Sequence, residues 1–224
     1  MRNKNCILFF SLTPEKDALR KRWTHSKRLD LNIATALYNR TLGVIKESKI
    51  PYFECNETHQ SELDFGSNIS SAIQHLLDKD FDNVIVVGND CFELKASDLI
   101  QAEENLQKGI ASIGETKDGG SYLFTVSADK WDAEAFEHLP WCKKTLAASL
   151  ISLINRNQQL LFLKSRVDLD HLQNLKVNSN FFQFNNIRFL NMLFLNFDGF
   201  NLDTILKSTN ILQVPQYRGP PCFA

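Results

Sequence analysis

The groups able to do chemistry in this 224-residue sequence collect where strands hand over to loops. Asp90 is the clearest. Residues 84–87 are Val-Ile-Val-Val, an unbroken β-branched run that reads as a buried strand, and Gly88-Asn89 then breaks it, delivering Asp90 to the strand's carboxyl end. Ligands bind at that end in open α/β sheets. Asp90 also has a purely local reading, because Asp favours turns and caps through its own hydrogen bonds. A basic cluster of Lys16, Arg20, Lys21, Arg22, Lys27 and Arg28 near the N-terminus, diluted by Glu15, Asp17 and Asp30, reads as a local anion site. Cys91 stands beside Asp90, but no histidine shares its motif, and cysteine is commonly a small buried residue, so a nucleophilic role carries little weight. His25, His59, His75, His138 and His171 show no ligand spacing.

The elements that must position these groups follow from pattern. Strands are predicted over residues 6–10, 50–55, 84–87, 110–113, 122–126 and 160–163, with Tyr122 and Phe124 on one face. Between them, a connection carrying Pro14 and Arg20 leads to a helix over 29–47. A second helix carries Ile69, Ile73, Leu76 and Leu77 behind a Ser67 or Asn68 cap, and a third runs from Ser97 and Asp98 to Lys108, closed by Gly109. Short helices are expected over 131–138 and 146–154, with Asp168 capping a last one. Strands alternating with helices imply a parallel or mixed α/β sheet.

Composition sets the remaining bounds. A net charge of -1 gives no overall basic excess, so no nucleic-acid partner is expected. Five scattered cysteines with no Cys-x-x-Cys pair suit reduced thiols in a cytoplasm. No apolar run approaches the ~20 residues a membrane span needs. Eight of the 17 phenylalanines fall in residues 176–224, which keep neither a period of two nor one of 3.6. We therefore divide the chain into a domain over 1–175 and an extension over 176–224 that covers the core or forms a homo-oligomer interface.

Four segments, taken in order, resemble the glycosyltransferase-A-type family of unknown function described as selenodomain-associated transferases, relatives of the MobA-like nucleotidyltransferases. These are Gly88-Asn89-Asp90-Cys91-Phe92, Lys117-Asp118-Gly119-Gly120-Ser121-Tyr122-Leu123, Leu139-Pro140-Trp141-Cys142-Lys143 and Asp168-Leu169-Asp170. The resemblance implies a three-layer α/β/α nucleotide-diphospho-sugar transferase fold with a mostly parallel sheet. It further implies a nucleotide or nucleotide-sugar donor and Mg²⁺ or Mn²⁺ held by Asp90 and Asp170. Arg20 and Arg22 would take the phosphates, Asp118 the catalytic position, and Gly119, Gly120 and Trp141 the substrate pocket.

The first loop departs from the family pattern. Leu12 replaces its lysine and Asp17 its glycine, and Lys117 replaces an acid beside Asp118. Two readings follow: a metal-dependent glycosyl- or nucleotidyltransferase, or a catalytically degenerate member acting as a binding or scaffold module.

Overall fold

The computed structural model describes residues 4–59 and 64–169. The chain opens with β1 (Asn5–Phe10), then α1 (Pro14–Lys21), α2 (Lys27–Ser48) and β2 (Tyr52–Cys55). It continues through α3 (Phe65–Leu77), β3 (Asn83–Val87), α4 (Ala96–Gln107) and the hairpin of β4 (Ala111–Glu115) and β5 (Ser121–Ser127). A single 3₁₀ turn, α5 (Ala133–Glu137), α6 (Leu146–Ile154) and β6 (Leu160–Phe162) complete it. These six strands form one sheet in the order β2-β1-β3-β5-β4-β6, in which only β5 runs against the others.

Both faces of the central strands are covered. Cys6, Leu8, Phe10, Val84 and Val86 point to one side, where Ile69 and Ile73 of α3, Phe136 of α5 and Leu150 of α6 pack on them. Ile7, Phe9, Ile85 and Val87 point to the other, against Ile45 of α2 and Leu99, Ala102 and Leu106 of α4. Continuous apolar strands are stable only in such a sandwich, and each fully buried aliphatic or aromatic side chain stabilises it by ~1.5–3 kcal/mol. The architecture is three layers, α/β/α, around a mostly parallel sheet.

This topology also creates the crevice that matters for function. β1 is followed by a crossover to β2 on one side, whereas β3 is followed by a crossover to the β4–β5 half on the other. The loops leaving the carboxyl ends of these two neighbours therefore diverge, which is where open α/β sheets admit ligands.

Three local expectations are corrected. The cap of α3 is Asp64, whose side chain accepts from Ser67 N at 3.0 Å, rather than Ser67 or Asn68. Tyr122 and Phe124 do not share a face, because the β4–β5 register slips at Gly114 and Glu115, and the extra residue turns Tyr122 toward the α2–α4 side. A Cβ on Gly114 would lie 2.3 Å from the Tyr122 ring, so the glycine makes room for that turn. Cys6, Cys55 and Cys91 are free thiols, but Cys142 is disulfide-bonded, against the expectation of uniformly reduced cysteines. The extension over 176–224 lies outside the described residues, as does the helix expected after Asp168.

Candidate functional site

The first wall of the crevice is α1. Pro14 occupies its first turn, and residue Thr13 before it is held by Glu57, whose carboxylate accepts from Thr13 N at 2.8 Å and from its hydroxyl at 2.5 Å. Burial would raise the Glu57 pKa, but these hydrogen bonds outweigh it and hold the carboxyl below its usual range. Along the helix, Asp17 and Lys21 stand one turn apart on the inner face with Ala18 between them, and all three are buried. Arg20 is half-buried, and its charge acts on the Asp17 carboxyl. Arg22 is different. It ends the helix in the left-handed region, is exposed, and its Nε donates to the Leu19 carbonyl at 3.0 Å. Arg22 lines a groove of about 510 Å³ on the outer side of α1, together with Thr24, His25, Lys27 and Asp30.

The second wall is the loop after β3, which is tied down from three sides. Arg40 of α2 reaches over to donate to the Phe92 and Leu94 carbonyls, the latter at 3.2 Å. Glu93 Oε2 accepts from Val167 N at 3.2 Å, and Leu169 N donates to the Asp90 carbonyl at 2.9 Å. Trp23 Nε1 in turn donates to the Leu169 carbonyl at 2.9 Å, which joins this loop to α1. Within the frame, Asp90 Oδ1 forms an ion pair with Lys21 Nζ, and both side chains are almost inaccessible. Asn89 Nδ2 donates to Asp17 Oδ2 at 3.4 Å. Asp17, Lys21, Asn89 and Asp90 thus make one buried polar cluster between the carboxyl ends of β1 and β3. Burial pushes the Asp17 carboxyl above its usual range and the Asp90 charge adds to this, against the pull of Lys21, Arg20 and Asn89. Cys91 is buried, which pushes its thiol well above the usual value and keeps it protonated.

The β4–β5 hairpin forms a third element of the rim. Asp118 Oδ1 accepts from the Thr116 hydroxyl and from Gly120 N at 3.3 Å, the local turn role of an Asp. Gly119 has φ +94, and a Cβ there would lie 2.0 Å from the Lys144 carbonyl oxygen, so this glycine serves backbone packing. A Cβ on Gly120 would lie 2.8 Å from Thr116 Oγ1 within the same turn, with Asp168 Oδ2 farther off at 3.9 Å. Trp141 is half-buried and packs against the core beside α3: its indole N–H donates to the Phe136 carbonyl at 2.8 Å, and its ring centroid is 5.2 Å from that of Phe65. Asp170 lies outside the described residues.

Of the residues singled out from the sequence, the structure therefore gathers Asp90 and Arg20 at the crevice and sets Asp118, Gly119 and Gly120 on its hairpin. It turns Arg22 outward and places Trp141 among core aromatics. Lys21 and Asn89 escaped sequence reading, since Lys21 was one charge among six. The available signal was the Asp17–Lys21 spacing of four behind a proline at the first helical turn.

A divalent cation does not fit the described residues. Asp90 Oδ1 is already occupied by an ammonium group, and no three His, Cys, Asp or Glu side chains among the described residues are placed to hold a metal ion.

The model of a family described as "Uncharacterized protein conserved in bacteria (DUF2064)" matches residues 47–143, a span that contains Asp90 and the Asp118 hairpin. A crystal structure of a candidate nucleotide-diphospho-sugar transferase from Desulfovibrio desulfuricans G20 superposes with a TM-score of 0.77 at 20% identity, over 92% of this chain and 98% of that one. The chain has the nucleotide-diphospho-sugar transferase fold. Rv0371c from Mycobacterium tuberculosis H37Rv is more distant, with a TM-score of 0.46, 9% identity and coverage of 79% of this chain and 97% of that one. A manganese complex of Rv0371c scores 0.45 at 8% identity, over 78% and 97% of the two chains. No curated protein matches the sequence. Among the described residues no helix is long and apolar enough to cross a membrane.

Proposed function

We propose that the chain binds a nucleotide-activated donor in the crevice between the carboxyl ends of β1 and β3 and transfers the activated group to an acceptor. The buried cluster of Asp17, Lys21, Asn89 and Asp90 carries this reading. Burying charged groups is costly, a stable core has no need of them, and they lie at the position where this kind of sheet takes ligands. Arg20 and Lys21 supply positive charge for the donor phosphates, and the hairpin of Asp118, Gly119 and Gly120 borders the acceptor side. In the transfer, an acceptor hydroxyl oxygen forms its bond to the activated group as the bond to the leaving phosphate oxygen breaks, and the hydroxyl proton passes to solvent. The electron pair departs with the phosphate, whose growing negative charge the cations of α1 stabilise.

The test is a thermal-shift screen of the full chain against nucleotides and nucleotide sugars, repeated on Asp90→Asn. A donor at about 100 times its dissociation constant stabilises by ~2.7 kcal/mol. A shift with one base that the variant loses supports the reading, and no shift with any donor overturns it. A degenerate binding module remains the second reading, favoured by one observation: both hydrogen bonds of Asp118 Oδ1 serve its own turn.

A further inference from the structure

Resting on the donor reading, we infer that Lys21 takes the place of the divalent cation, so that donor binding at this crevice is independent of metal, and that Asp90 is a positioning residue for the Lys21 ammonium. The argument begins with the pair itself. Lys21 Nζ lies on Asp90 Oδ1 with side-chain exposures of 4% and 8%, so this contact is interior and not a surface ion pair. An ammonium and a divalent cation repel each other and compete for the same carboxylate oxygen. For a metal to bind Asp90, Lys21 must leave.

The structure gives it little freedom to do so. Lys21 projects from a helix whose start is fixed by Thr13 on Glu57 and whose inner face is packed through Ala18. Its Nζ sits 5.4 Å from the Trp23 ring centroid, and Trp23 is itself anchored on the Leu169 carbonyl. Asp17, one turn earlier on the same helix and 1% exposed, is a second carboxylate under the Lys21 charge. The ammonium is thus flanked by two buried carboxylates from α1 and the β3 loop. That arrangement keeps the ammonium at the carboxyl end of β3, on the carboxylate oxygen a cation would need. Lysine binds phosphate as a point charge, which is the role required here.

The experiment reads metal uptake separately from donor binding. Manganese is titrated into the full-length wild type, Lys21→Met, Asp90→Asn and the Lys21→Met/Asp90→Asn double variant, and free Mn²⁺ is followed by electron paramagnetic resonance. The expected result is no stoichiometric uptake by wild type, uptake by Lys21→Met through the released Asp90 and Asp17 carboxylates, and loss of that uptake in the double variant. In parallel, the thermal shift given by a nucleotide sugar to the wild type is measured in EDTA and in Mn²⁺, with equal shifts expected. Stoichiometric Mn²⁺ uptake by wild type that Asp90→Asn abolishes, or a folded Lys21→Met that takes up none, overturns the inference. So does a donor shift that appears only with Mn²⁺. If Lys21→Met does not fold, the wild-type and Asp90→Asn arms still decide the matter. A chain that shifts with no donor sinks the donor reading alone, and the manganese arm still reports on Lys21.

Discussion

Removing one member of the Asp90–Lys21 pair should cost far more than removing both, and the two single losses should be unequal. Breaking a buried ion pair by deleting one partner typically costs ~3–5 kcal/mol, whereas replacing both partners is often near neutral. Asp90→Asn leaves Lys21 with the Asp17 carboxylate as counter-charge, which places it at the lower end, about 3 kcal/mol. Lys21→Met leaves Asp17 and Asp90 as two buried carboxylates facing each other, which places it at the upper end, about 5 kcal/mol. At ~2–4 °C per kcal/mol for a chain of this size, the first lowers Tm by about 6–12 °C and the second by about 10–20 °C. The double variant should recover most of the loss, giving a coupling energy of several kcal/mol where independent sites would simply add. Urea unfolding of the four proteins at neutral pH measures the cycle. A Lys21→Met cost no larger than that of Asp90→Asn, or a double variant at the sum of the singles, would refute the proposed charge arrangement.

Three further outcomes are expected. Asp64→Ala removes the α3 cap and should cost about 1 kcal/mol at neutral pH. Hydrogen bonding from Ser67 N holds the Asp64 carboxyl below its usual value, so its contribution is present above the unfolded pKa and lost as pH falls through the folded one. Wild type and variant should accordingly converge in acid, as thermal melts across pH can check. Gly119→Ala meets both a positive φ and the Lys144 carbonyl, and should destabilise by at least ~1–3 kcal/mol, read as a lower urea midpoint at unchanged slope. Arg20→Ala should weaken binding of the donor identified in the screen by about tenfold, the worth of one hydrogen bond to a charged group. Arg22→Ala, whose side chain lies on the outer groove, should leave that affinity unchanged by calorimetric titration.

Much of the sheet was legible because burial on both faces writes itself as uninterrupted apolar sequence. Residues 84–87 became β3 almost residue for residue, and 146–154 became α6, whose buried Leu146, Ala147, Leu150 and Ile154 keep a helical spacing across Ser149 and Ser152. Tyr122 was misplaced because a strict period of two assumes an unbroken ladder, and the bulge that redirects it depends on Gly114 of the neighbouring strand. Trp141 could not be separated from a pocket residue by type alone. Its position follows from contacts with Phe65, more than seventy residues earlier in the chain. At the site, Asp90 was found from its place after a strand, but its partner was not. Lys21 looks like any other cation of a charged helix until the helix is docked, and only then does one of six neighbouring charges become interior.

The double hold on Leu169 bears on how the crevice can be watched. Its N–H is spent on the Asp90 carbonyl and its own carbonyl on the Trp23 indole, so position 169 is fixed at the rim by main-chain atoms. Neither bond uses the leucine side chain. A reporter group attached to Asp168, the residue before it, is thereby held beside the cluster. Entry of any molecule into the crevice becomes readable as a change in emission, with no knowledge of the reaction and no coupled assay. For a protein whose substrates must be found by screening, that anchor turns the search into an optical one.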